Sequence, residues 1–368
     1  MNKRLKFRDA LSYDGLASAR TVDAVGNMRG ESLGGSFRTF DGSRTVDSTG
    51  SFLVGELERL DMSVHLPLVN VTWGRDVDLR EDVTIADEVS SFTQSTYGSA
   101  GSLGTGNGIG NGKAWVGKET TQISSVSVDI AKVVKILRPW ALELKYTILE
   151  LTSAAKLGRP IDQQKFDALK LKHQMDIDEM VYIGDPALNS FGLVNQPTTA
   201  VTTYNVVNGA AASPKWSLKT PDEILADVNT ILTTTWAQSG YAVVPDRLLI
   251  PPTQFGLIST QKVSSAGNIS TLRYIQENNL LTTSGRGKLD IFPLKWLVGG
   301  GVGGTLGTPG TDRMVAYSKR KDHVRYPMTL LQRTPIQFSG LFHAMVYFCR
   351  LGELEIVYQN VFSYADGI

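Results

Sequence analysis

From Gly104 to Gly112 every second residue is glycine, within the run YGSAGSLGTGNGIGNG (97–112). Glycine loses more backbone freedom on ordering than any other residue, so this run does not make the interior of a helix or a strand. The sequence on either side alternates. Val83, Ile85 and Val89 stand at even spacing before it, and Val126, Val128, Ile130, Val134 and Ile136 after it. Period two is the strand pattern, and it predicts two long strands over 77–97 and 113–137 joined by a glycine-rich tip. The outer part of this hairpin carries few apolar residues, so it gains little by burial in its own domain. An isolated hairpin is marginal in water, so this one must rest on another surface.

The rest of the composition narrows the class. The 368 residues are 42% hydrophobic, enough for real cores, and the length suits two or three domain-sized units. Lys+Arg number 37 against Asp+Glu 36, and a chain this balanced is not a dedicated nucleic-acid binder. One Cys forms no intrachain disulfide, and one Cys with four His does not build a zinc-finger module. The basic N-terminus MNKRLKFRDALSYDG lacks the apolar stretch of a signal peptide, and no apolar run is long enough to span a bilayer. Glycine, at 36 residues, exceeds the usual share.

Residues 1–75 are rich in Gly, Ser, Thr, Asp and Arg, and Val22 to Gly50 shows no sustained period, so they read as an extended arm with a short helix at 51–62. After Pro139, WALELKYTILELTSAAKL (140–157) predicts a helix, stopped by Gly158. Pro160–Ile161–Asp162 opens a second helix to about Tyr182, with Phe166, Leu169, His173, Ile177 and Met180 on one stripe. It would span roughly 30 Å, a spine for the domain around it. A turn-rich connection follows over 184–216. Thr220–Pro221–Asp222–Glu223 is a capping box for a helix to about Gln238. A strand over 243–250, short helices near 253–260 and 270–279 and a strand at 289–298 complete an α/β unit. A second glycine run, GGGVGGTLGTPG (299–310), ends it, and the remainder is strands.

Short motifs for chemistry are present only by pattern. GESLG (30–34) matches a nucleophile elbow around Ser32, but neither flank is periodic, whereas the strained serine needs a strand before it and a helix after it. GGGVGG (299–304) matches G-x-G-x-x-G after an expected strand, yet Pro309 follows where the dinucleotide helix must open. The four His are dispersed, and His173 on an apolar stripe reads as a core histidine. Asp176, Asp178 and Glu179 read as a solvated helix face. No catalytic, cofactor or metal site is expected. Two basic clusters remain: Lys3, Arg4, Lys6 and Arg8 at the start of the chain, and Lys319, Arg320, Lys321 and Arg325 on an expected loop between strands, each suited to phosphates. Trp115, flanked by Lys113 and Lys118 beside the glycine run, suits an inter-subunit contact.

Residues 139–197 run PWALELKYTILELTSAAKLGRPIDQQKFDALKLKHQMDIDEMVYIGDPALNSFGLVNQP. A helix, a Gly-x-Pro-Ile-Asp turn, a long helix, Gly-Asp and a closing Gly-Leu-x-Asn-x-Pro follow in order. The matching positions are Gly158, Pro160, Asp162, Lys165, Gly184, Asp185, Gly192, Leu193, Asn195 and Pro197. This resembles the encapsulin-like branch of tailed-bacteriophage major capsid proteins, of the Hong Kong 97 fold. The resemblance implies an α+β chain: an N-terminal arm (1–75), an extended β-hairpin loop (76–135) lying over a neighbouring subunit, a peripheral domain with the long spine helix (136–215 and 311–368), and an axial α/β domain (216–310). It implies a non-enzymatic shell protein that self-assembles into hexamers and pentamers, an icosahedral head around double-stranded DNA. Implied partners are further copies of itself, scaffolding, portal and decoration proteins, and packaged DNA in weak non-specific contact. No charged helical segment precedes the arm, so the scaffold is expected to be a separate protein. No local motif marks Lys113 or Lys118 for a covalent cross-link. The implied location is the virion capsid, assembled in the bacterial host cytoplasm, with no membrane. Two other readings stand beside this one: an encapsulin-type nanocompartment shell, and a serine hydrolase using Ser32.

Overall fold

A computed structural model of the chain describes residues 67–99, 118, 126–157, 161–264, 268–301 and 310–368. The chain divides into two units at Leu68/Val69, and all elements below belong to the second. The expected helix at 51–62 lies outside the described residues.

A short helix α1 (Trp73–Asp76) leads into β1 (Asp78–Arg80). Of Val83 and Ile85, expected in a strand, Val83 precedes and Ile85 lies within a turn in which Asp87 Oδ2 accepts from the Thr84 amide at 2.7 Å. The first long strand starts only at Val89. β2 (Val89–Ser99) and β3 (Val126–Ile136) then pair antiparallel along their whole lengths, Val89 opposite Ile136 and Ser99 opposite Val126. The expected hairpin is therefore present, with its tip outside the described residues.

The helix expected from residue 140 is a correction. Arg138–Thr147 is strand β4, and the helix α2 covers only Ile148–Leu157. Trp140, Leu142, Leu144 and Tyr146 turn inward while Ala141, Glu143 and Lys145 turn outward. Leu142 and Leu144 fit either period, and the ten-residue pairing of β4 with β12 (Phe342–Leu351) decides between them. Thr147 Oγ1 accepts from the Glu150 amide at 3.0 Å and starts α2 at the strand's end. The spine helix forms where expected, as α3 (Ile161–Tyr182).

The connection after α3 holds a 3₁₀ turn (Pro186–Leu188) and a strand the turn-rich reading missed, β5 (Thr202–Asn205). Helix α4 (Pro221–Gln238) carries the full capping box, Thr220 and Glu223 each bonding the other's backbone. Then come β6 (Arg247–Ile250), α5 (Pro252–Thr260), α6 (Thr271–Asn278), α7 (Leu280–Thr283) and β7 (Asp290–Pro293). The strand expected to 298 ends at Pro293, and a 3₁₀ turn, Lys295–Leu297, follows. The remaining strands are β8 (Arg313–Tyr317), β9 (Val324–Pro327), β10 (Gln332–Arg333), β11 (Gln337–Ser339), β12, β13 (Glu355–Ile356) and β14 (Phe362–Asp366).

A five-stranded sheet of order β5-β14-β8-β6-β7 organises the interior. Its strands come from the segments 202–205, 247–293 and 313–366, so the helix–strand alternation of 217–298 is closed by strands from outside that range. β6, β8 and β14 are buried at every residue, and successive side chains go to opposite faces. Leu249, Val315, Tyr317, Phe362 and Tyr364 join one core with Ile177, Val181 and Tyr182 of the spine helix. Leu248, Ile250, Met314, Ala316 and Ala365 join a second core with Ile224, Val228 and Ile231 of α4. The ribbon β4–β12 covers the first half of α3 through Leu144, Tyr146, Leu169 and Tyr347. A three-stranded sheet β1-β9-β13 sits beside the hairpin root.

Candidate assembly surfaces

The hairpin presents one face to solvent. Antiparallel pairs share a face, so Val89, Val128, Ile130, Val134 and Ile136 line up on the same side of β2–β3. Each is between 50% and 66% exposed. The opposite face turns inward at its base, where Ser90 and Phe92 are buried. These five aliphatic side chains, interrupted on β3 by Lys132, are each about half exposed on a solvated ribbon, and completing their burial elsewhere would stabilise each by about 1–2 kcal/mol, roughly half the gain for a fully exposed side chain.

Polar bonds root the hairpin. Ser90 Oγ donates to Glu355 at 2.5 Å, and Arg80 and Arg325 converge on the same carboxylate. Gln94 Nε2 donates to the Val357 carbonyl at 2.6 Å. Lys135 and Arg138 both pair with Glu353, at 3.4 and 3.1 Å. Of these partners only Arg325 was read for a role in the sequence, as part of the basic cluster suited to phosphates, and its guanidinium is instead engaged with Glu355; for the others the local signal is two glutamates at alternate positions in the apolar stretch Leu351–Val357.

A second exposed apolar group lies at the end of the β4–β12 ribbon. Phe338, Leu341, Phe342 and Leu149 are all exposed there, and the Ile148 amide bonds the Leu341 carbonyl at 3.0 Å. Lys145 Nζ sits 4.3 Å over the Phe342 ring.

The quoted motif after the spine helix is a turn lock. Gly184 has φ +76, and a Cβ there would meet the Ser190 carbonyl oxygen at 2.4 Å. At Gly192 a Cβ would meet the Tyr182 carbonyl carbon at 2.3 Å, so only glycine lets the returning chain lie against the end of α3. Asp185 Oδ1 accepts from the Ala187 amide, and Asn195 Oδ1 from the Gly192 amide. Tyr364 Oη donates to the Leu193 carbonyl at 2.6 Å and ties the motif to β14.

The acidic group on the spine is not a solvated face. Asp178 is buried and accepts from the amides of Thr72 and Trp73, at 2.8 and 3.1 Å, and from Trp296 Nε1 at 2.9 Å. Asp176 accepts from Trp140 Nε1 and Lys172; only Glu179 is exposed. Asp178 therefore anchors the chain entering α1. Asp76, fully buried, accepts from Tyr182 Oη at 2.6 Å and from Arg75.

His173 is a core histidine, as its stripe implied. Its Nε2 is 3.3 Å from Cys349 Sγ and its ring meets Trp140 edge-on. Burial pushes the Cys349 thiol up to about 12 and holds the His173 imidazole below its ordinary value. Both groups stay neutral near pH 7, the reverse of an activated thiolate pair.

The basic segment Lys319–Lys321 does lie between two strands, β8 and β9. Lys319 Nζ is taken by the Arg75 carbonyl at 2.9 Å and by Asp78 at 3.5 Å, while Arg320 and Lys321 are exposed. Lys118 is exposed. Lys3, Arg4, Lys6, Arg8, Ser32, Lys113 and Trp115 lie outside the described residues. The GGGVGG run follows the 3₁₀ turn rather than a strand, and the Gly301 amide bonds the Thr311 carbonyl at 2.7 Å. Among the described residues no cluster of His, Cys, Asp and Glu is arranged to hold a metal ion, and no helix is long and apolar enough to cross a membrane.

No curated protein sequence matches the chain. Solved structures do match it in fold. The capsid of Myoviridae phage XM1 is similar with a TM-score of 0.67 at 15% identity, covering 85% of this chain and 98% of that one. A chain of Mycobacterium phage Cain gives 0.55 at 12% identity, covering 86% and 97%. The capsid of the native GTA particle gives 0.53 at 10% identity, covering 88% and 99%. At these identities the likeness establishes the α+β capsid fold of the Hong Kong 97 type. In sequence, the family described as "Major capsid protein" matches residues 112–368, a span that takes in the hairpin's second strand and runs to the last strand. That match spans most of the chain over a fold shared with phage shells, and the chain belongs to the major capsid protein family.

Proposed function

We propose that this capsid-forming chain builds an icosahedral phage head of hexamers and pentamers around double-stranded DNA, and that the β2–β3 hairpin is its main reach toward a neighbouring copy. The carrying observation is the exposed aliphatic row Val89, Val128, Ile130, Val134 and Ile136 on a ribbon rooted in the body by polar bonds. A capsid subunit meets copies of itself, so the surface that covers this row is offered by another copy. In this reading residues 1–75 are the arm, 76–135 the extended loop, 136–215 with 311–368 the peripheral domain, and 216–310 the axial domain. Trp115, Lys113 and Lys118 sit at the subunit contact. Lys3, Arg4, Arg320 and Lys321 face the packaged DNA through sequence-independent contacts; Lys319 contributes less, because its ammonium is engaged with Arg75 and Asp78. The chain does no catalysis. Scaffolding, portal and decoration proteins complete the head, which assembles in the host cytoplasm.

The test is negative-stain microscopy of the expressed full chain, alone and beside its scaffold, with the ultraviolet absorbance ratio of the purified particles. Closed shells rich in nucleic acid support the reading. Closed shells that hold protein cargo and no nucleic acid would establish a nanocompartment instead. Monomers at high protein concentration, even with a scaffold present, would end the shell reading. Ser32→Ala is expected to leave the particles intact.

A further inference from the structure

The hairpin hangs from one buried carboxylate. Glu355 on β13 is fully buried and gathers three donors from three other elements. Ser90 Oγ of β2 donates to it at 2.5 Å, Arg325 Nε of β9 at 2.7 Å, and Arg80 Nη1 of β1 lies 3.2 Å from each oxygen. Arg80 Nη1 also reaches Ser90 Oγ at 2.9 Å and the Ser91 carbonyl at 3.3 Å, so the guanidinium bridges carboxylate and hairpin backbone. The neighbouring alternate positions continue the rail. Glu353 holds Lys135 and Arg138, and the Val357 carbonyl takes Gln94. Residues 353, 355 and 357 thus bind both strands of the hairpin from one side.

An ionic cluster is a costly way to hold two strands together. A buried carboxylate needs every partner in place, and apolar residues of the same volume often stabilise a fold as well or better. Charge-assisted hydrogen bonds add direction, because donor and acceptor geometry fixes the angle at which the elements meet. Past Gln94, β2 continues five more residues to Ser99, a cantilever of about 17 Å. A small change of angle at the root moves the far end by several ångströms.

We propose that Glu355 is a positioning residue for assembly: its cluster with Ser90, Arg80 and Arg325 sets the angle of the hairpin before any neighbour is met. The ordering is then made during folding, which leaves less to be ordered on association. This rests on the reading that the hairpin docks on a neighbouring copy.

The test compares hydrogen exchange in unassembled full-length subunits with the shape of assembled particles. Two variants are used, Glu355→Gln and the double variant Ser90→Ala with Gln94→Ala. The second removes the two donors of β2, keeps Lys135 on Glu353 and leaves Arg80 and Arg325 paired with Glu355, so it carries the test should Glu355→Gln fail to fold. Amides of 89–99 and 126–136 are expected to exchange about tenfold faster or more, the effect of losing one charge-assisted hydrogen bond from a local opening equilibrium. Exchange in β6, β8 and β14 is expected to stay at the wild-type rate, and the variant particles to be open or irregular. Unchanged hairpin exchange in the double variant overturns the proposal. So does acceleration spread equally over hairpin and central sheet, or uniform closed shells built from a loosened hairpin. Wild-type subunits that form no particles would count against the shell reading and leave the exchange result to judge the anchor.

Discussion

Arg313 and Asp366 face each other across β8 and β14, Nε to Oδ1 at 2.6 Å and Nη2 to Oδ2 at 2.8 Å, with Arg313 Nη1 on the Val194 carbonyl. Asp366 is fully buried, so removing its charge strands a guanidinium in the core. Asp366→Asn is expected to lower stability by about 3 kcal/mol or more, read from the urea midpoint of the unassembled subunit. Two buried histidines set a pH dependence. Desolvation lowers His173, against a smaller raising effect of Asp176, and desolvation with Arg320 lowers His323, against Asp322 and Asp246. A folded value below the unfolded one, about 6.5, means the unfolded chain binds more protons there. Their contribution is present above that value and is lost as pH falls through the folded values. The melting temperature is expected to drop between pH 7.5 and 5.5, and His173→Phe to flatten that slope; an unchanged slope would refute the assignment. His173 was legible because its neighbours repeat at helical spacing. Asp178 was not, because its partners Thr72, Trp73 and Trp296 lie about a hundred residues away in sequence.

Elements with local signals formed where their sequences placed them. Helix α4 begins at its capping box and α3 follows its stripe, because caps and helical periodicity act within a few residues. β4 was misread as helix because Leu142 and Leu144 satisfy both periods, and its partner β12 lies some two hundred residues on. The hairpin strands were legible by alternation, but the alternation did not say which face was free. The structure assigns the row on the even positions of β3 to solvent and buries Ser90 and Phe92. Ile130→Asp with Val134→Asp is expected to leave the subunit's circular dichroism and melting temperature near wild type and to abolish particles in negative stain. A comparable loss of subunit stability would show that the row packs within its own chain.

For the whole molecule, one sheet separates two cores, and the hairpin's apolar row belongs to neither. In the proposed function a neighbouring copy covers that row, so assembled particles are expected to melt above unassembled subunits at equal protein concentration, and the hairpin's exchange to slow on assembly. Equal melting temperatures in calorimetry would argue that the row stays wet in the shell. By itself the sequence determined the hairpin, the spine helix, the capped α4 and the family motif from Gly184 to Pro197, because turn chemistry, side-chain period and residue order are local properties. The balanced charge likewise argued against a dedicated nucleic-acid binder. Only the tertiary structure decided that β5, β6, β7, β8 and β14 share one sheet, that Asp76, Asp178 and Glu355 are anchors, and that one hairpin face is left open. Each of these depends on which distant segments meet, and pairing across hundreds of residues is set by the fit of whole surfaces, which no short window of sequence contains.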